Sequence, residues 1–326
     1  MHDVAALAGV SHQTVSRVLN GGTVKSQTRT RVLAAMQELD YRPNTAARVL
    51  ATGRSRTLGV LSLDSTLFGP ASTLHAIESA ARDARYFLSV ASLRSLDRSS
   101  VQEALGRLAD QAVEGAIVIA PLTSAHQALR GLPSGLPVVA VEGDAQADVA
   151  VVAVDQVAGA RTATQHLLSL GHRTVWHVAG PPDWLEAQGR VAGWRAALEG
   201  VGADVPPPLS GDWSPRSGFE AGQLLARMSD VSAVFVANDQ MALGLLRALH
   251  ERGLRVPEDV SVVGFDDIGE AAYYTPPLTT VRQDFAEVGR RSIELLLAQV
   301  RSGARSAERQ VVPAELIVRQ STAPPR

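Results

Sequence analysis

From Thr57 onward the chain repeats one pattern, a short wholly apolar run followed by an amphipathic stretch. The apolar runs are "TLGVLSL", "FLSVASL", "GAIVIAPL" and "LPVVAV", separated by stretches such as "TLHAIESAARDARY". After Asp155 the pattern restarts with "TVWHVAG", "SAVFVAN" and "VSVVGFDD". A strand that is apolar at every position is buried on both faces, and helices between such strands place them in parallel sheets. Two successive runs therefore predict an α/β architecture of two doubly wound halves. The 326 residues leave room for these halves and a small appendage. Ligands of such sheets bind beyond the carboxyl ends of the strands. The polar residues at those ends are Glu142 after "LPVVAV", the loop after "HVAG", Asn238-Asp239 after "SAVFV", and Asp266-Asp267 after "VSVVGF".

The first 56 residues differ in kind. They hold eight Arg or Lys against Asp3, Glu38 and Asp40, a net +5, so with −2 overall the remaining 270 residues carry −7. A basic arm on an acidic body points to a polyanion partner. "HDVAALAGVSHQTVSRVLNGG" divides into two short helices around Gly9, with Ser11 placed to cap the second. Val4, Leu7 and Ala8 share a face of the first helix, and Val15, Val18 and Leu19 a face of the second. His12, Gln13, Ser16 and Arg17 point outward. Gln pairs with adenine and Arg with guanine in a major groove, so this face fits base reading as well as plain solvation; the excess positive charge favours base reading. A third helix is predicted in "QTRTRVLAAMQELDY", with Ser26 as cap and Val32, Leu33, Met36 and Leu39 on one face. In "RPNTAARVLATGRSRT", Asn44 can cap a turn of helix through Leu50, too short to be stable alone.

Other classes are excluded by what is missing from the sequence. The absence of cysteine removes disulfides and thiol chemistry. No apolar signal core or membrane-length run is present, so a cytoplasmic protein is expected. The sequence has no P-loop, HExxH or GxSxG, and His166, His172 and His177 form no metal motif. Asp266-Asp267 resembles a carboxylate dyad, and Glu186 beside Trp184 could be an acid of raised pKa, but nothing completes a mechanism. A non-enzymatic protein without cofactor or metal is expected.

"DVAALAGVSHQTVSRVLNGG" followed by "VKSQTRTRVLAAMQELDYRPN" resembles the headpiece of the lac repressor/gal repressor family of bacterial transcription factors, and the similarity extends over nearly the whole chain. The resemblance implies a helix-turn-helix headpiece on a periplasmic-binding-protein-like core with an effector between its halves. It implies base reading by His12, Gln13 and Arg17, and backbone positioning by Thr14, Ser16, Asn20 and Tyr41. It also implies a hinge helix opened by Asn44 that folds on DNA and wedges Leu50 into the minor groove. The expected divisions are 1–43 headpiece, 44–56 hinge and linker, and 57–326 core, the core comprising about 57–154 with 285–312 and about 155–284 with 313–322. The family usually has a few more residues before the first helix, so a start at Met1 predicts a weaker cap there.

A sugar site needs carboxylates, amides, an Arg fork and an aromatic platform. "DWLEAQGR", "GDWS", "VANDQ" and "VRQDF" offer these. The resemblance assigns Arg190, Asn238, Asp266 and Gln283 to sugar hydroxyls, Trp213 and Phe285 to the ring, and Phe68-Gly69-Pro70 to the opposite wall. The pocket departs from the family's lactose pattern: Trp184 and Glu186 replace serines, Glu142 an aspartate and Ile119 an asparagine, so lactose specificity does not carry over. Asp239 is expected to cap the helix that follows it, Asp267 to face away from the pocket, and Trp176 and Trp194 to be packing residues. The expected protein is a dimeric repressor, without a leucine-heptad tail, released from operator DNA by a galactoside-like sugar. The alternatives are an exported-type sugar-binding protein, which lacks a basic headpiece, and a sugar-responsive activator or corepressed regulator.

Overall fold

The computed structural model describes residues 1–19, 22–41, 53–63, 66–93, 95, 97–129, 135–143 and 148–326. The chain divides into two compact units, Met1–Ser55 and Arg56–Arg326. The proposed hinge helix, with Asn44 and Leu50, lies outside the described residues, as does Asn20.

The first unit contains α1 (His2–Ala8), α2 (His12–Leu19) and α3 (Ser26–Glu38). Gly9 ends α1 in the left-handed region at φ 61°, where a glycine lacks the Cβ clash. Ser11 Oγ accepts from Thr14 N at 3.2 Å and so caps α2. The core is Val4, Ala5, Ala8, Val15, Val18, Val32 and Ala35, with Tyr41 packed at its margin. Two expectations fail here. Leu7, Leu33 and Leu39 are exposed, because the α1 and α3 faces that meet are lined by Ala5 and Ala35. Ser26 is the first helical residue of α3; Lys25 occupies the cap position without a side-chain bond. α1 starts from Met1 without a side-chain cap, as expected.

In the second unit the alternation of the sequence becomes two parallel sheets. β1 (Thr57–Ser62), β2 (Phe87–Ser92), β3 (Ala116–Ile119), β4 (Val138–Val141), β5 (Ala150–Val154) and β11 (Arg309–Val312) form one, in the order β11-β5-β4-β3-β1-β2. The other, in the order β7-β6-β8-β9, comprises β6 (Trp176–Ala179), β7 (Leu209–Ser210), β8 (Ala233–Val236) and β9 (Ser261–Val263). β10 (Thr280–Gln283) and β12 (Ala314–Ile317) form an antiparallel pair beside the second sheet. Helices α4 (Phe68–Asp83), α5 (Arg98–Asp110), α6 (Ala125–Leu129) and α11 (Phe285–Ser302) belong to the first half. Those of the second half are α7 (Gln156–Ser169), α8 (Leu185–Glu199), α9 (Pro215–Leu225) and α10 (Asp239–Glu251). Apolar clusters lie on both faces of each sheet, as wholly apolar strands require. α9 and α10 touch backbone to backbone: a Cβ on Gly218 would sit 2.0 Å from Met241 O, and one on Gly244 1.8 Å from Pro215 O.

The chain passes between the halves at Asp155, Asp284 and Pro313. Two of these crossings are pinned by helix caps, Asp155 accepting from Ala158 N and Asp284 from Glu287 N, both at 2.9 Å. The crossings bring the carboxyl ends of both sheets to one cleft.

Candidate functional site

A cavity of about 250 Å³ occupies that cleft. All eleven side chains singled out from the sequence line it. Phe68 and Pro70 come from the start of α4, and Glu142 from the end of β4. Trp184, Glu186 and Arg190 come from the start of α8, and Trp213 from the β7–α9 turn. Asn238 and Asp266 follow β8 and β9, and Gln283 and Phe285 flank the second crossing. Ile119 and Thr73 complete the apolar side. Glu142, Trp213 and Asp266 sit at positive φ, 59°, 73° and 110°, an uncommon backbone state for residues with a Cβ. Such strain concentrates where side chains are aimed at a site.

A closed ring of buried polar groups forms the floor. Arg190 Nε donates to Gln156 Oε1 at 2.9 Å, Gln156 Nε2 to Gln283 Oε1 at 2.8 Å, and Gln283 Nε2 to Asp266 Oδ1 at 2.7 Å. Arg190 Nη2 returns to Asp266 Oδ1 at 3.4 Å, while Nη1 donates to the Ala237 carbonyl. The guanidinium lies 4.0 Å above the Phe265 ring and 5.4 Å from the Trp213 ring. Burial pushes the Asp266 carboxyl up to about 6, held back by Arg190 and the Gln283 bond. Gln156, the residue that joins the ring, was missed from the sequence; at the start of a helix it reads as a solvated position.

The polar pair at the end of β8 departs from its expected roles: Asn238 both lines the cavity and caps the next helix, and Asp239 does neither. Asn238, at φ −149°, is the N-cap of α10: its Oδ1 accepts from Met241 N at 2.8 Å, and its Nδ2 donates to Trp213 O at 3.1 Å and Gln240 Oε1 at 2.9 Å. Asp239 is fully buried, lines no part of the cavity, and accepts from Thr280 Oγ1 at 2.6 Å and Ile268 N at 3.0 Å. Burial, then the nearby Asp266, raises its carboxyl well above the usual range. The cap fell one residue earlier than expected because Asn238 keeps the extended backbone an N-cap requires.

Asp266 and Asp267 form no dyad. Asp267 is held away from the cavity by Arg282 at 2.7 Å and Arg319 at 2.6 Å. Two edge-to-face aromatic pairs frame the cavity, Phe68 with Phe285 at 5.8 Å and Trp184 with Trp213 at 5.6 Å. Trp213 lies over Gly180, where a Cβ would come within 2.1 Å of the indole. Glu142 accepts from Val154 N at 2.9 Å, and burial pushes its carboxyl up to about 7. Burial, then the neighbouring Glu142, raises Glu186 well above its ordinary value.

The remaining candidates lie elsewhere. Trp194 is buried and donates to Val175 O at 2.8 Å; Trp176 belongs to the core. His177 is buried against Phe235 at 4.7 Å, and burial lowers its pKa to about 4. His166 and His172 bond the C-terminal segment through Thr322 and Ala323, both at 3.0 Å. Among the described residues no cluster of His, Asp or Glu could hold a metal ion, and no helix is long and apolar enough to cross a membrane.

In the first unit, α2 exposes His12, Gln13 and Arg17 along one side, with Thr14 and Ser16 half-buried beside them. His12 stacks on His2 at 5.0 Å, and Thr14 Oγ1 lies 2.9 Å from Ser11 Oγ. Tyr41 N donates to Met36 O at 2.8 Å, fixing the segment that leaves α3.

Residues 1–44 match the bacterial regulatory proteins, lacI family, and residues 164–322 match a periplasmic binding protein-like domain. The lactose operon repressor of Escherichia coli (strain K12) is 37% identical over 328 residues, covering 100% of this chain and 91% of the repressor. The chain belongs to the lacI family. Among solved structures, the lac repressor dimer bound to operator and the anti-inducer ONPF superposes with a TM-score of 0.85 at 36% identity, covering 98% of each chain. A complex of the transcriptional regulator CelR with cellobiose gives 0.72 at 34% identity, again covering 98% of each. As a lacI-family protein this chain is a DNA-binding transcriptional regulator, with a helix-turn-helix unit and a periplasmic-binding-protein-like core. Its relatives are transcriptional regulators.

Proposed function

We propose that this chain is a dimeric repressor that leaves its operator when a sugar occupies the cleft. Residues 1–43 act as the headpiece, 44–56 as hinge and linker, and 57–326 as the effector core. His12, Gln13 and Arg17 read base edges; Thr14, Ser16, Asn20 and Tyr41 hold the backbone; Asn44 opens the hinge helix and Leu50 wedges the minor groove. Two-fold symmetry of the dimer gives a near-palindromic operator in cytoplasmic DNA.

The observation that carries the reading is the cleft itself. Aromatic pairs offer apolar faces to a sugar ring, and the Arg190–Asp266–Gln283 ring offers donors and acceptors at one end. Three chain crossings make that cleft the joint between the halves, so an occupant that favours one arrangement shifts the equilibrium between two states. Asn238 contributes through its remaining lone pair and by fixing Trp213, whose carbonyl it binds. The test starts by selecting an operator from random duplexes with the full-length protein. Sugars are then titrated against the complex by fluorescence anisotropy. A sugar that releases the duplex supports induction; tightening instead identifies corepression, and no duplex selected refutes the repressor reading.

A further inference from the structure

Among the described residues three carboxyls, those of half-buried Glu142 and Glu186 and of buried Asp266, face the cleft with one guanidinium, that of Arg190. That guanidinium is already engaged by Asp266, Gln156 and the Ala237 carbonyl. Among the described residues Glu142 and Glu186 form no ion pair: Glu142 accepts from Val154 N, and Glu186 Oε2 is buried without any hydrogen-bond partner. Glu142 and Asp266 lie close enough to Glu186 to oppose its ionisation, after the larger effect of burial. An isolated carboxylate in such surroundings is expensive, so burial shifts both glutamates toward their protonated forms. Beside them Trp184 and Trp213 form an edge-to-face pair, and aromatic rings attract cations. Carboxyls without a cation, next to indole rings, are the complement of an ammonium group.

We infer that the effector is a sugar carrying a protonated amine, its nitrogen seated by the Glu142 and Glu186 carboxyls and its ring against Trp184 and Trp213. This rests on the sugar reading of the cleft and deepens it. The volume of about 250 Å³ is below the ~300 Å³ at which drug-sized pockets begin, which suits a single ring. An ammonium seated there favours the ionised form of both glutamates, against the burial that raises them. Arg190 and Asp266 remain paired and address hydroxyls at the other end.

Calorimetry on the full-length protein at pH 7.5 tests this with D-galactosamine and D-glucosamine, their neutral parents, and the N-acetyl derivatives, which keep the ring but lose the charge. One amino sugar is expected to bind about tenfold or more tightly than its parent and its N-acetyl form, a margin of ~1.4 kcal/mol. Glu186→Gln and Glu142→Gln, each checked for fold by circular dichroism, are expected to reduce that preference to about threefold or less. A neutral parent or N-acetyl sugar binding as tightly overturns the inference and leaves the sugar reading standing. An amine preference that survives both substitutions also overturns it, because another group would then be the recogniser. No heat from any of the sugars overturns the sugar reading and this inference together.

Discussion

Replacing Arg190 with methionine keeps an unbranched side chain in place while removing the guanidinium from the cleft floor. The guanidinium bonds Gln156 and the Ala237 carbonyl and pairs with Asp266 at 3.4 Å, all within a buried site. Breaking a buried ion pair from one side costs about 3–5 kcal/mol, part of it from acceptors left without donors at ~1–3 kcal/mol each. The acceptor cost is independent of pH; the cost of leaving Asp266 charged is not. Asp266 already has its folded pKa raised to about 6 from 3.8, so stability falls as pH rises from the unfolded value through the folded one. Arg190 holds that value down, and the variant's Asp266 must titrate higher still. Each further unit costs about 1.4 kcal/mol at pH 8 and almost nothing at pH 5, where the carboxyl is protonated in either protein. Glu142 and Glu186, which also feel Arg190, shift in the same direction. Urea denaturation at pH 5, 6.5 and 8 should therefore give a stability gap between wild type and Arg190→Met that widens with pH, to about 3–5 kcal/mol at pH 8. A gap that is constant, or widest at pH 5, would refute the ion-pair account of the floor.

Gly180→Ala places a methyl within 2.1 Å of the Trp213 indole, so the ring must leave its seat; sugar affinity should fall about tenfold, read by calorimetry, with circular dichroism unchanged. Asp239 holds Thr280 and the Ile268 amide from a carboxyl raised well above its usual range by burial, so Asp239→Asn should cost under ~1 kcal/mol and Asp239→Ala about 1–3 kcal/mol in thermal melts. Equal losses would show that the hydrogen bonds are not the stabilising element. Arg17→Ala should weaken the selected operator by about 1–3 kcal/mol and relax one base preference in an anisotropy competition. Unchanged binding across sequences would remove Arg17 from base reading.

Strands whose every residue is apolar were legible, because burial on both faces is written directly into composition. β5 was not, although "AVVAV" is as apolar as its neighbours: it lies parallel to β4, and the eight residues between them are fewer than the dozen or so of a usual parallel crossover. β11 and β12 escaped for a different reason, since partly exposed strands such as "RQVV" carry no continuous apolar run. In the headpiece the helical spacing located the elements but not their contact faces. Leu33 and Leu39 were placed on the packed face of α3 with Val32, yet Val32 and Ala35 are the residues buried there. Helix-to-helix approach favours the small side chain, and periodicity alone does not reveal which neighbour a face meets.

At the cleft the sequence determined the inventory: strand ends bearing carboxyls and amides, aromatic residues after them, and a basic arm of +5 on an acidic body. These follow from order along the chain and from charge, which need no coordinates. Which polar groups remain free was decided by the tertiary structure. Arg190, Gln156, Gln283 and Asp266 close their ring across separations of up to 127 residues, and Asn238 becomes the cap while Asp239 goes to the interior. Hydrogen bonds act over about 3 Å through space, so partners are chosen only when the crossings bring the two sheets' ends together.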